Sequence, residues 1–171
     1  PVVVPEAQQI FWGRFTPLAS MPAKTTFADV LALGSEQVGT ILPFTMTRTP
    51  QTDMVMPATG NFTFGLQHSQ AYVMDSSTGI ASKAAISNPS LSINFGTGTF
   101  TTQLNLAANG SNYSVSGFGT VSSDGKLAGA YVSPAIITGA LAGKNATQAG
   151  YLFTQGLGAT TTAVGATLWG R

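Results

Sequence analysis

The chain contains no cysteine, a single histidine and only two tryptophans in 171 residues. Without cysteine there is no disulfide framework and no thiolate metal site. With His68 as the only imidazole, any Ser–His–acid triad would have to be built on that one residue, and no G-x-S-x-G elbow is present to supply the nucleophile. Charge is scarce as well: 8% of residues are ionic, where a soluble domain averages roughly a quarter. The seven basic and six acidic residues are scattered singly and leave a net charge of +1. Nucleic-acid binding needs a basic stripe, so it is excluded as a function class. No apolar run reaches the roughly 18 residues of a spanning helix. No leader is visible either. The chain opens on PVVVPE rather than Met, which points to a trimmed end from which a leader has been removed.

Hydroxyls and glycine fill the space that charge leaves. Serine and threonine number 38 and glycine 20, so hydroxyls and backbone must wet the surface. Period-2 alternation recurs along the chain. NFTFGLQH sets Phe62, Phe64, Leu66 and His68 on one face, and LSINF, FTTQLNL and NYSVSGFGTV behave alike. The expected strands are 9–16, 39–48, 60–68, 90–95, 99–107, 112–122, 126–132 with 136–142, and 149–155 with 162–170. Asn109-Gly110 and Asp124-Gly125 suit primed hairpin turns, in which both central residues take positive φ. Glycines inside strands (Gly65, Gly117, Gly119, Gly129, Gly139, Gly165) fit bulges or the sharp coiling of a small barrel. One short helix is expected near 25–34, capped by Thr25 or Thr26 and stopped at Gly34.

The expected fold is therefore all-β, an antiparallel meander closed into a barrel of about eight strands. Residues 1–8 form an N-terminal extension and 9–171 a single domain. Trp-Gly-Arg occurs at Trp12, Gly13 and Arg14 and again at Trp169, Gly170 and Arg171. A meander has two open edges, and pairing the first strand with the last removes both. The repeated tripeptide places the barrel seam between these two segments, with Trp filling the interior and Arg at the rim.

From residue 57 onward the motifs MPATGNFTFGL, LSINFGTGTFTTQLNL, NYSVSGFGTV, LAGAYVSP and GKNATQAGYLFT follow one another, and the chain ends in an aromatic-Gly-Arg. This series, together with FWGRF near the start, resembles the eight-stranded barrel of bacterial transferrin-binding-protein-like surface lipoproteins. Related barrels occur at the C-terminal end of some FecR-like proteins. The resemblance implies an exported bacterial protein of the cell surface that binds a host protein, haem or another small ligand. The scarcity of charge and the missing cysteine depart from that family.

Little in the sequence points to catalysis. The six carboxylates never cluster in sequence, and the GFGTVSSDGK glycines precede no helix that would make a phosphate cradle. Four N-x-S/T sites (Asn61, Asn109, Asn112, Asn145) follow from composition alone. His68 is the candidate ligand-binding residue, as a haem or metal ligand or as a strand-end histidine bonded to backbone; no metal site and no required cofactor are expected. Val2, Val3 and Val4, between prolines, have strand propensity without a local partner. They are the candidate assembly segment, adding as a strand to a neighbouring copy. The expected function is a non-enzymatic surface binding module for a protein or small ligand. The alternative is a self-assembling subunit of an extracellular filament or sheath. A barrel that spans the membrane with its apolar face to lipid is the third reading, because alternation does not say which face points inward.

Overall fold

The computed structural model describes residues 5–171. The assembly segment Val2–Val4 lies outside the described residues. Twelve strands and one helix follow in order. The first group is β1 (Ile10–Arg14), α1 (Phe27–Gly34), β2 (Glu36–Ile41) and β3 (Phe44–Arg48). The second is β4 (Asn61–Asp75), β5 (Ile80–Lys83), β6 (Ala85–Asn94), β7 (Thr99–Ala108), β8 (Ser111–Val121), β9 (Lys126–Gly129), β10 (Ile136–Ala142), β11 (Gln148–Gly156) and β12 (Thr161–Gly170).

Eight antiparallel strands close into a barrel in the order β12-β11-β10-β9-β8-β7-β6-β4, with β4 pairing back onto β12 and β5 added beside β4. The turn chemistry explains much of the meander. Asn109 and Gly110 both carry positive φ, 52° and 73°, as a two-residue primed turn requires. Asp124-Gly125 differs from expectation: only Gly125 has positive φ, at 81°. Gly125 N–H donates to Ser122 C=O and Ser122 N–H to Lys126 C=O. This is a three-residue loop with glycine in the left-handed position.

The seam is a correction. The segment holding Trp12, Gly13 and Arg14 does not pair with the one holding Trp169 and Gly170. β1 pairs only with β3, in a separate three-stranded sheet of order β1-β3-β2. The barrel closes instead between β12 and β4, from Thr161↔Asp75 to Gly170↔Gly65. The physical reason is that β12 is apolar on both faces. Ala163 and Trp169 belong to the barrel interior, whereas Val164, Ala166 and Leu168 face outward with Tyr72 and Leu152. An apolar outer wall needs a cover, and Ile10, Leu18, Phe44 and Met46 provide it. The strands expected at 9–16 and 39–48 therefore form a second layer outside the barrel. The expected 39–48 strand is itself a hairpin, turning at Leu42 and Pro43.

The helix forms as expected, with Thr26 accepting from Asp29 N–H at 3.2 Å. Its stop differs. The left-handed residue is Ser35, φ 61°. Gly34 is glycine for another reason: a Cβ there would lie 2.6 Å from Thr47 Oγ1 and 2.7 Å from Arg48 N.

β9 is too short to flank all of β8, pairing only from Gly119 to Val121. One side chain closes part of the gap. Gln155 on β11 accepts from Ser116 N–H at 3.1 Å and donates to Ser114 C=O at 3.2 Å, standing in for a peptide unit of a missing strand. Gln155→Leu removes both bonds and is expected to cost about 1 kcal/mol or more. Amide exchange at Ser116 should accelerate ahead of global unfolding, and unchanged exchange there would rule out the staple.

Candidate binding surfaces

Large apolar and aromatic side chains point into the barrel interior. Leu91, Ile93, Phe100, Leu104, Leu106, Tyr151, Phe153 and Trp169 fill it, none more than 1% exposed. Its polar atoms are paired internally. Tyr151 OH and Thr102 Oγ1 share a hydrogen bond of 2.7 Å, and Trp169 Nε1 donates to Thr167 Oγ1 at 2.8 Å. Burial holds the Tyr151 phenol well above its ordinary range, despite the opposing hydrogen bonds from Thr102 and Thr167, so it remains a neutral hydroxyl.

His68 does not join Phe62, Phe64 and Leu66 on the interior face. Leu66 pairs with Trp169, but His68 pairs with Leu168, so Gln67 is an extra residue in β4. This β-bulge inverts the alternation from His68 onward. Leu168 faces outward, and His68 shares that exposed outer face. There it lines a cleft of about 390 Å³ with Gln8, Phe11, Trp12, Leu33 and Ser69. Trp12 Nε1 donates to Gln70 Oε1 at 2.9 Å, which fixes the indole beside it. No group of three or more His, Asp or Glu that could hold a metal occurs among the described residues.

The remaining residues of the two tripeptides separate. Gly13 lies under α1, where a Cβ would strike Thr25 and Val30. Arg14, expected at the rim, is buried at 2% exposure between the outer sheet and the barrel. A Cβ on Gly170 would strike the bulged Gln67 side chain. Arg171 does stand at an end of the barrel, its guanidinium 4.2 Å from the Phe62 ring and 5.8 Å and 6.0 Å from those of Phe64 and Phe95. It also donates from Nη2 to Asn145 C=O at 2.6 Å.

A second surface escaped the sequence reading. Tyr131 is fully exposed, Val132 is 75% and Ile136 67% exposed, and Phe118 is 40% exposed. The loop between β9 and β10 is tied directly to Phe118. Ala130 N–H donates to Phe118 C=O at 2.8 Å, and Phe118 N–H donates to Ser133 Oγ at 3.2 Å. These bonds hold the loop that carries Tyr131 and Val132 beside Phe118. The sequence signal was available: AYVSPAI carries large apolar residues through a turn, where small polar residues are the rule.

No protein-family model matches the chain, and no curated protein matches it in sequence. Solved structures do. It is similar to a variant of the vaccine antigen transferrin-binding protein B from Haemophilus parasuis Hp5, at 17% identity and TM-score 0.50, over 74% of this chain and 29% of that one. It is also similar to intact Ap-TbpB with its N and C lobes, at 16% identity and TM-score 0.46, over 74% of this chain and 29% of that one. The chain therefore spans less than a third of the length of these proteins. The likeness is one of fold: a transferrin-binding-protein-B-like β-barrel.

Proposed function

We propose that the chain is a non-enzymatic binding module of the bacterial cell surface, and that it grips a protein partner through Phe118, Tyr131, Val132 and Ile136. The fold it shares with transferrin-binding protein B supports a surface binding role. The observation that carries the reading is the pairing of a filled barrel with an apolar exposed corner. Large buried side chains occupy the interior, which favours recognition on the outside. Scattered exposed apolar residues are ordinary, but a contiguous group containing an aromatic marks an interaction site. A small ligand at His68 would meet it in the outer cleft beside Trp12.

A photo-crosslinking side chain in place of Tyr131, displayed on whole cells, tests this. It is expected to trap one defined foreign protein. Val132→Ser with Ile136→Ser should then weaken that complex about thirtyfold. Both side chains are solvent-exposed, so the thermal midpoint should stay near wild type. Cross-links only to further copies of the chain would replace this reading with the filament one. No specific cross-link at all would remove the corner as a binding surface.

A further inference from the structure

Arg14 is an anomaly of the outer layer. It is 2% exposed, yet its Nε has no hydrogen-bond partner. Among the described residues its guanidinium makes one hydrogen bond, a long one from Nη1 to Met21 C=O at 3.3 Å. The guanidinium lies over the Tyr72 ring, 5.6 Å from its centroid. An unmet buried donor on a charged group costs stability and calls for an explanation. Arg14 lines a cavity of about 440 Å³ whose wall also includes Lys24, Lys83 and Tyr72. Lys83 sits directly across from Tyr72 on β5 and shares its face. Lys24 is brought in by its backbone, whose N–H donates to Arg14 C=O at 2.9 Å.

Three of the chain's seven basic residues thus line one cavity. No carboxylate lines it. Among the described residues the ion pairs join Glu36 to Arg48 and to Lys126, and none involves Arg14, Lys24 or Lys83. In a chain with seven basic residues, three on one cavity wall with no carboxylate beside them concentrate positive charge there. An apolar side chain of similar size at position 14 is expected to pack there without an orphaned donor, so the charge is not explained by stability.

We propose that this cavity binds a phosphate or sulfate group. A tetrahedral oxyanion offers acceptors in several directions at once. It accepts from the Arg14 guanidinium that lines the cavity and draws in the two lysine ammonium groups, in charge-assisted hydrogen bonds. Arg14 supplies the fixed, buried donor; Lys24 and Lys83, both exposed, supply attraction and close the mouth. This site is separate from the apolar corner and does not depend on it.

Titration calorimetry of the whole chain with inorganic phosphate and sulfate, at ionic strength held constant with sodium chloride, tests the proposal. The wild type is expected to bind one phosphate saturably. Lys24→Gln with Lys83→Gln should weaken binding about tenfold or more. Arg14→Met should abolish binding while leaving the phosphate-free unfolding midpoint at or above wild type. Flotation with phosphatidylcholine vesicles containing phosphatidic acid separates the sources of the anion. Recruitment that inorganic phosphate displaces assigns the site to lipid phosphate. Phosphate binding without recruitment assigns it to a soluble or glycan-borne group. No saturable heat for either anion up to about 10 mM, or equal binding by the double lysine variant, overturns the proposal.

Discussion

Trp169→Ala is expected to destabilise the protein by about 3–5 kcal/mol, a large fraction of the roughly 5–15 kcal/mol that holds an ordinary domain folded. Trp169 is fully buried in the barrel. It stacks on Tyr151 with ring centroids 5.9 Å apart and planes at 24°. Removing the indole opens a cavity at the meeting point of β11, β12 and β4, and the walls on all three sides are paired strands that resist collapse. It also strips Thr167 Oγ1 of its donor. Trp169→Phe keeps most of the volume and loses the N–H, so about 1–2 kcal/mol is expected for it. Urea midpoints at unchanged slope give both values. A Trp169→Ala loss below about 1 kcal/mol would mean that the interior is loosely filled, and the argument that ligands bind outside would go with it.

The meander was legible because alternation and turn chemistry are local. Most strands from 60 onward and the Asn109-Gly110 turn follow from neighbouring residues, although β4 runs past the expected end at 68 to Asp75, β5 was not expected and β6 starts at Ala85 rather than 90. Closure was not legible, because it depends on which distant strand is free. The repeated tripeptide suggested a seam, but a tripeptide carries no register. A better signal lay in β12 and β11, whose AVGATLWG and AGYLF runs are apolar on both faces apart from the hydroxyls of Thr167 and Tyr151. Such runs mark strands covered on both faces, which calls for a second layer over that wall. The strand glycines were read more soundly. At Gly119 a Cβ would strike the Ala128 carbonyl, and at Gly139 the Gly150 carbonyl. These close approaches are what tight coiling demands. The His68 error has a single cause, the extra residue Gln67, which is invisible without the partner strand. The basic cavity was hidden for the same reason: residues 14, 24 and 83 converge only once the outer sheet lies across β4 and β5.

That outer sheet is held by more than apolar contact, and Arg48→Ala is expected to cost about 3–5 kcal/mol. Arg48 is 2% exposed. From β3 it reaches the barrel, donating Nη1 to Leu141 C=O at 2.7 Å and to Asp124 C=O at 3.0 Å. It also meets Glu36 through Nη2 at 2.9 Å and Nε at 3.3 Å, and Lys126 approaches the same carboxylate at 3.0 Å. Truncation leaves the Leu141 carbonyl without this donor and undoes the tie between the layers. Glu36→Gln should cost much less, about 1 kcal/mol or under, because that carboxylate is a third exposed and partly screened. Its contribution carries a pH signature. The hydrogen bond from Arg48, helped by Lys126 and opposed by burial, holds the Glu36 carboxyl below its ordinary value of 4.5. A depressed carboxyl stabilises the fold fully above the unfolded value and loses that contribution as pH falls through the folded one. The stability gap between wild type and Glu36→Gln should therefore be present at neutral pH and close on acidification below 4.5. The Arg48→Ala deficit should shrink over the same range only by the Glu36 share, because the carbonyl bonds do not titrate. A deficit that vanished entirely in acid would show that the ion pair alone, and not the bridge to Leu141 and Asp124, fastens the sheet to the barrel.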